Sequence, residues 1–214
     1  MGSVAQNRLM GNIAFLINMV QSKRLLFAVA LLSSQLAGFA RTNLDLGFPA
    51  AATPYDPYMA PVKEVLTHLS NGETSMARAR SLMHEGREFR YSFTSPYVAA
   101  TPEVTEATQA GDCKAKALWL ADQLNDQSVR FVIGKARRTS QMSHAWLLWE
   151  HANRWWILDC TNNWEPIPAD RVSSSQYIPY YSFAKNGEYR HQATQLLVAQ
   201  AGVVTGGKAE IAQR

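Results

Sequence analysis

Apolar positions along the chain follow a helical period in three stretches and a strand-like density in three more. Residues 62–69 and 75–85 predict two short helices separated by Asn71-Gly72, with Met76, Ala79 and Met83 on one stripe of the second. Residues 113–124 predict a third, with Ala117, Leu120, Ala121 and Leu124 on one face and Asp112 placed to cap its start. The runs 129–136, 144–150 and 155–161 are rich in Val, Ile, Trp and Leu and predict strands. Phe89, Tyr91 and Phe93 alternate, which predicts a strand or an extended arm over 88–93. The Pro-rich stretch 41–61 reads as an extended lead-in, 96–109 as a long connection, and the tail beyond Asn186 is weakly patterned. A helix followed by antiparallel strands predicts an α+β domain rather than a βαβ unit.

The first forty residues carry a different pattern. Lys23-Arg24 precedes an unbroken apolar run, Leu25 to Leu32, and Gly38-Phe39-Ala40 ends the stretch with small residues where a signal peptidase reads. This predicts a secretory signal peptide over 1–40, cleaved after Ala40, with Met19 as an alternative start that gives a leader of 22 residues. A retained membrane anchor is the alternative. Gln21 to Arg24 interrupts it, and neither half reaches the roughly 20 residues of a spanning helix. The protein is expected outside the cytoplasm, periplasmic or secreted, and at a membrane only through an uncleaved leader.

Composition changes the picture in two ways. With 47% hydrophobic and 18% charged residues the 214-residue chain is no disordered polymer, and two cysteines exclude a disulfide-dense miniprotein or a multi-thiolate zinc module. The formal charge of +4 suggests an anionic partner, but Arg8, Lys23 and Arg24 supply three of those charges before residue 41. The remainder balances 18 basic against 17 acidic residues, so no basic face for nucleic acid is expected.

The chemistry concentrates in Gly111-Asp112-Cys113, His144-Ala145-Trp146 and Leu158-Asp159-Cys160-Thr161. A cysteine at the first turn of a helix meets unsatisfied backbone N–H groups and the positive end of the dipole, which favour a thiolate. A histidine can keep that thiolate ionised and later protonate a leaving group, and a carboxylate can fix the imidazole tautomer. If Glu150 pairs with Trp155 across the loop 151–154, His144 faces Thr161 and Trp146 faces Asp159. His144 and Asp159 are then diagonal neighbours about 7–8 Å apart at Cβ, within bridging reach. Cys160 points to the opposite face.

Gly-Asp-Cys opening a helix, His-Ala-Trp on a strand and Asp-x-Thr on the next resemble the transglutaminase-like superfamily, in its bacterial, protease-like branch. The resemblance spans about residues 89–163. It implies a papain-like fold, with a nucleophile-bearing helix packed on an antiparallel sheet, and a catalytic domain over 62–185 followed by a tail over 186–214. It also implies that Cys113 is the nucleophile, His144 the general base and acid, and Asp159 the residue that orients His144. The Cys113 backbone N–H is one expected oxyanion donor; Gln109, Tyr91 and Tyr97 are candidates for the second. Trp146 and Trp164 are core residues or walls of a substrate cleft.

Other readings compete. A Cys113–Cys160 disulfide is opposed by the face assignment, and the Cys and His spacings match no zinc site, so no metal or cofactor is expected. Lys114 and Lys116 read as an exposed helix side, and His68, His84, His151 and His191 as surface residues. Two functions result. One is a thiol enzyme that acylates Cys113 with a peptide, protein or cell-wall amide, as peptidase, amidase or transglutaminase. The other is a non-catalytic exported binding or assembly module on the same fold.

Overall fold

The computed structural model describes residues 44–71 and 74–194. The leader over 1–40 with its Met19 start, the turn at Gly72 and the tail beyond 194 lie outside the described residues.

A seven-stranded sheet is the platform. Its strands are β1 (Phe48–Ala50), β4 (Val129–Arg137), β5 (His144–His151), β6 (Arg154–Leu158), β7 (Ile167–Pro168), β8 (Gln176–Ala184) and β9 (Gly187–Arg190). They run in the order β1-β9-β8-β4-β5-β6-β7, with every neighbouring pair antiparallel. Two short strands, β2 (Arg90–Tyr91) and β3 (Ala110–Gly111), pair in parallel beside it. The helices are α1 (Ala60–His68), α2 (Met76–Glu88), α3 (Pro102–Thr108) and α4 (Cys113–Leu124).

Helix α4 occupies the centre. Asp112 caps it by accepting a hydrogen bond from the Ala115 backbone N–H at 3.2 Å, and Asn125 ends it in the left-handed conformation at φ 46°. Ten of its twelve residues are buried, because α1, α2 and α3 cover the sides that the sheet leaves open. Its core contacts include Phe131, Ile133, Ala145, Leu147, Trp149 and Leu158, all on one face of the sheet. Alternate residues Val132, Trp146, Leu148 and Ile157 form a smaller core on the other face, under Ala169. Gly86 lets α2 approach this centre. A Cβ there would meet Cys160 Sγ and Trp119 at 2.8 Å each.

The β5–β6 register is the one the sequence implies, with Glu150 opposite Trp155 and Leu147 opposite Leu158. The turn is tighter than a four-residue loop. His151 pairs with Arg154, and Ala152 and Asn153 both take positive φ (51° and 58°), as a two-residue primed hairpin turn requires.

Several expectations are corrected. The lead-in and the start of the tail are not separate from the domain: β1 pairs with β9, and Arg130 Nη1 donates to the Leu46 carbonyl at 2.7 Å. The connection 96–109 contains α3, whose cap is Thr101 and whose first residue is Pro102. Lys114 and Lys116 are buried, at 3% and 1% exposure, not on an exposed side. His191 is also buried; its ring lies 2.9 Å from Ser182 Oγ and 3.0 Å from the Asp45 carbonyl. Burial holds its pKa below the ordinary histidine value despite the Asp45 carboxylate nearby. His68 and His84 are exposed, and His151 is half-buried.

Candidate active site

The start of β5, the end of β6 and the first turn of α4 supply the candidate residues. Cys113 is the first residue of α4 and is 8% exposed. His144 is the first residue of β5, and Asp159 is the first after β6. Ladder pairing ends at Leu147–Leu158, so both side chains lie where the strands have just separated. His144 Nε2 donates to Asp159 Oδ2 at 2.8 Å. With Nε2 so engaged, Nδ1 is the ring nitrogen left for the Cys113 thiol, with which His144 shares a side-chain hydrogen bond.

The electrostatics follow from these contacts. Burial opposes a charge on His144, but hydrogen bonds to Asp159 and Cys113 and the negative charge of both outweigh it, and its pKa is pushed up to about 10. Burial also opposes ionisation of Asp159. Hydrogen bonds from His144, Tyr177 and Asn162 reverse that and hold its carboxyl below the ordinary value. Its Oδ1 accepts the backbone N–H groups of Thr161 (3.1 Å) and Asn162 (3.3 Å). Asp159 is therefore a carboxylate fixed at both oxygens, facing a protonated imidazole. This arrangement suits a thiolate–imidazolium pair.

A second charged pair supports the nucleophile. Lys114 Nζ contacts Asp112 Oδ2 and donates to the Thr94 carbonyl (3.1 Å) and Oγ1 (3.0 Å). Asp112 Oδ2 also accepts from the Thr94 backbone N–H (3.1 Å) and hydroxyl (2.9 Å). The ammonium lies 5.6 Å from the Phe93 ring centre and 5.3 Å from that of Tyr97. The loop 93–97 is thus tied to the first turn of α4. Lys116 Nζ instead donates to the Phe89 carbonyl at 2.5 Å, and burial lowers its pKa.

A cleft of 260 Å³ opens over Cys113, walled by Tyr91, Phe93, Pro96, Tyr97 and Met142. Tyr91, Phe93 and Met142 are 52%, 61% and 61% exposed, which gives the entrance an apolar rim. The Tyr97 hydroxyl is buried without a hydrogen-bond partner. Burial, then the charge of Cys113, raises the pKa of both Tyr97 and Tyr91. Gln109 is elsewhere. It caps α3 at φ 47°, its amide donates to the Glu106 carbonyl at 2.9 Å, and it is no part of the cleft wall. Trp146 is 1% exposed and is a core residue beneath His144, its ring 6.0 Å away and nearly parallel. Trp164 is 45% exposed and packs on His84 and Arg87, away from the cleft wall.

Cys160 is the other thiol, free and buried on the α4 side of the sheet. Its Sγ lies 3.8 Å from the Lys116 carbonyl, and burial pushes its pKa up to about 12. Sequence reasoning missed Asn162, Tyr177 and the Thr94–Asp112–Lys114 cluster. Asn162 carried a faint signal as a short polar residue three positions after Asp159; Tyr177 carried none.

No family model matches the chain, and none of the curated proteins does. Similar solved structures include LapG of Legionella pneumophila, at 16% identity and a TM-score of 0.45, covering 62% of this chain and 78% of that one. Its calcium-bound form matches at 16% identity and TM-score 0.45 over 59% and 74% of the two chains. Its EGTA-treated form matches at 17% identity and TM-score 0.45 over 61% and 74%.

Proposed function

We propose that this chain is a thiol enzyme that acylates Cys113 with the carbonyl of a peptide-type amide. The observation that carries the reading is a buried His144 shared between the Asp159 carboxylate and the Cys113 thiol, with Cys113 itself lining an open cleft. The Cys113 sulfur attacks the carbonyl carbon and the carbonyl electron pair moves to oxygen. The Cys113 backbone N–H and the unpartnered Tyr97 hydroxyl are the donors that receive that oxyanion. As the oxyanion collapses, the C–N bond breaks, the amine leaves with the His144 proton, and a thioester remains. Water or a second amine then attacks, giving its proton back to His144, and the thiolate departs. Water makes the protein a peptidase or amidase; a lysine amine makes it a transglutaminase.

The rim of Tyr91, Phe93 and Met142 favours acyl donors with apolar side chains near the reacting carbonyl. A panel of peptide and cell-wall amides, with and without an added primary amine, tests the reading. Amine release at a rate that depends on Cys113 is expected. Stoichiometric binding of panel members with no turnover would favour the non-catalytic module instead.

The leader supports work outside the cytoplasm. Amino-terminal sequencing of exported protein is expected to begin at Arg41 or within a few residues of it; full-length chain held in the membrane would replace cleavage with anchoring.

A further inference from the structure

We propose that Tyr177 is a positioning residue that holds the Asp159 carboxylate toward His144 by donating to the same oxygen that accepts the imidazole. Its hydroxyl donates to Asp159 Oδ2 at 2.8 Å, the same oxygen that accepts His144 Nε2 at 2.8 Å. Asn163 Nδ2 donates to the Tyr177 oxygen at 2.5 Å. A hydroxyl whose oxygen already accepts from an amide has its own proton directed elsewhere, here to Asp159. The chain Asn163, Tyr177, Asp159, His144 therefore has one direction, and each bond polarises the next. Asn162 Nδ2 completes the set on Oδ2 at 2.8 Å.

The backbone is distorted to deliver this contact. Tyr177 takes φ +48° inside β8, a left-handed conformation that costs an aromatic residue free energy and persists only where its surroundings impose it. The β4–β8 register shifts between Ile133 and Gly134. A Cβ on Gly134 would lie 2.1 Å from the Ile178 carbonyl and 2.8 Å from the Trp146 ring, so only glycine lets β8 come this close. Trp146 then fills the angle between the two partners. It stacks under His144 and meets the Tyr177 ring edge-on at 5.3 Å. A strained turn, an obligatory glycine and a buried tryptophan together aim one hydroxyl at one carboxylate oxygen.

Because Tyr177 and His144 share Oδ2, they compete for the same electron density. Removing the hydroxyl leaves the carboxylate a stronger acceptor for the imidazole, and looser in orientation. The other ionisable groups around the pair are Cys113 and Lys116 of α4, Cys160 beside Asp159, and Arg137 of β4 toward Tyr177. None of these is altered by Tyr177→Phe, which also keeps the ring on Trp146.

This inference rests on the proposed thiol reaction for its catalytic meaning, but its direct readout does not need turnover. Titration of the His144 ring by NMR in Tyr177→Phe is expected to move upward by about 0.5–1 pH unit. On a substrate from the panel, kcat is expected to fall about tenfold, KM to stay within about twofold, and the alkaline limb of the pH profile to rise with the ring titration. If Tyr177→Phe does not fold, Asn163→Ala keeps the hydroxyl and loosens its direction, and a smaller upward shift is expected. An unmoved His144 titration in the variant that folds overturns the proposal. A moved titration in a protein that turns over no amide overturns the enzyme reading and leaves this one standing.

Discussion

Cys113→Ala removes amide turnover by at least about 10⁴-fold and leaves the thermal unfolding transition within a few degrees of the parent. The substitution deletes the atom that forms the thioester, and no other group can replace it: Cys160 is buried beneath α4 and is no part of the cleft wall. Folding tolerates the change because alanine is a good helix former and Cys113 is the first residue of α4, with one side on the cleft. His144→Ala costs nearly as much, since base and nucleophile work as one unit and their losses do not add. The thiol itself gives an independent check. Iodoacetamide is expected to modify one site on the native protein, Cys113, because of the two thiols it is the one that lines the cleft. Cys160, buried and with its thiol pushed up to about 12, is expected to react only after unfolding. Intact-mass measurement reads both. A native protein that takes up no label at Cys113, together with full activity in Cys113→Ala, would sink the nucleophile assignment.

What the sequence revealed of this site depended on period and pairing. Dense β-branched and aromatic runs located β4, β5 and β6, and one assumed pair, Glu150 with Trp155, placed His144 and Asp159 on a common face. The hairpin could be read because a one-residue slip would exchange its two buried faces wholesale. The edge of the sheet could not. β1 and β9 are three and four residues long, and Gly187-Glu188-Tyr189-Arg190 has no alternation to detect. Helix α3 was hidden by Pro102, which reads as a breaker; Thr101 before it and Glu103 after it form a helix start in which proline is welcome. Lys114 and Lys116 misled for a different reason. Charge predicts solvent unless a partner is known, and the partners here, Asp112, Thr94 and the Phe89 carbonyl, come from contacts made by a loop with no periodicity. Tyr177 was silent because its role depends on a bulge and a positive φ, and a single sequence shows neither.

The Asp112–Lys114 pair is expected to be the most stability-sensitive contact in the molecule. Both side chains are almost wholly buried, at 1% and 3% exposure. Breaking such a pair from one side leaves an uncompensated charge, with a cost of about 3–5 kcal/mol. Asp112→Ala does this to Lys114 and also strips the cap from α4, which adds about 1 kcal/mol. Lys114→Met is expected to cost less, about 1–3 kcal/mol, because Asp112 keeps three donors, the Ala115 N–H and the Thr94 N–H and hydroxyl. The double variant should lose less than the two single losses combined, since it removes both charges together. Urea unfolding followed by tryptophan fluorescence measures all three, and Trp119 on α4 places a reporter on the affected helix. Function should fail before the fold does in Lys114→Met. With the ammonium gone, Thr94 loses two of the bonds that hold the loop 93–97 against α4, and Tyr97 loses the cation over its ring. Turnover should therefore fall at temperatures where the protein is still folded, while single-site alkylation of Cys113 persists. An Asp112→Ala variant that loses under about 1 kcal/mol would show that solvent reaches the pair, and that the loop is held over the nucleophile by other contacts.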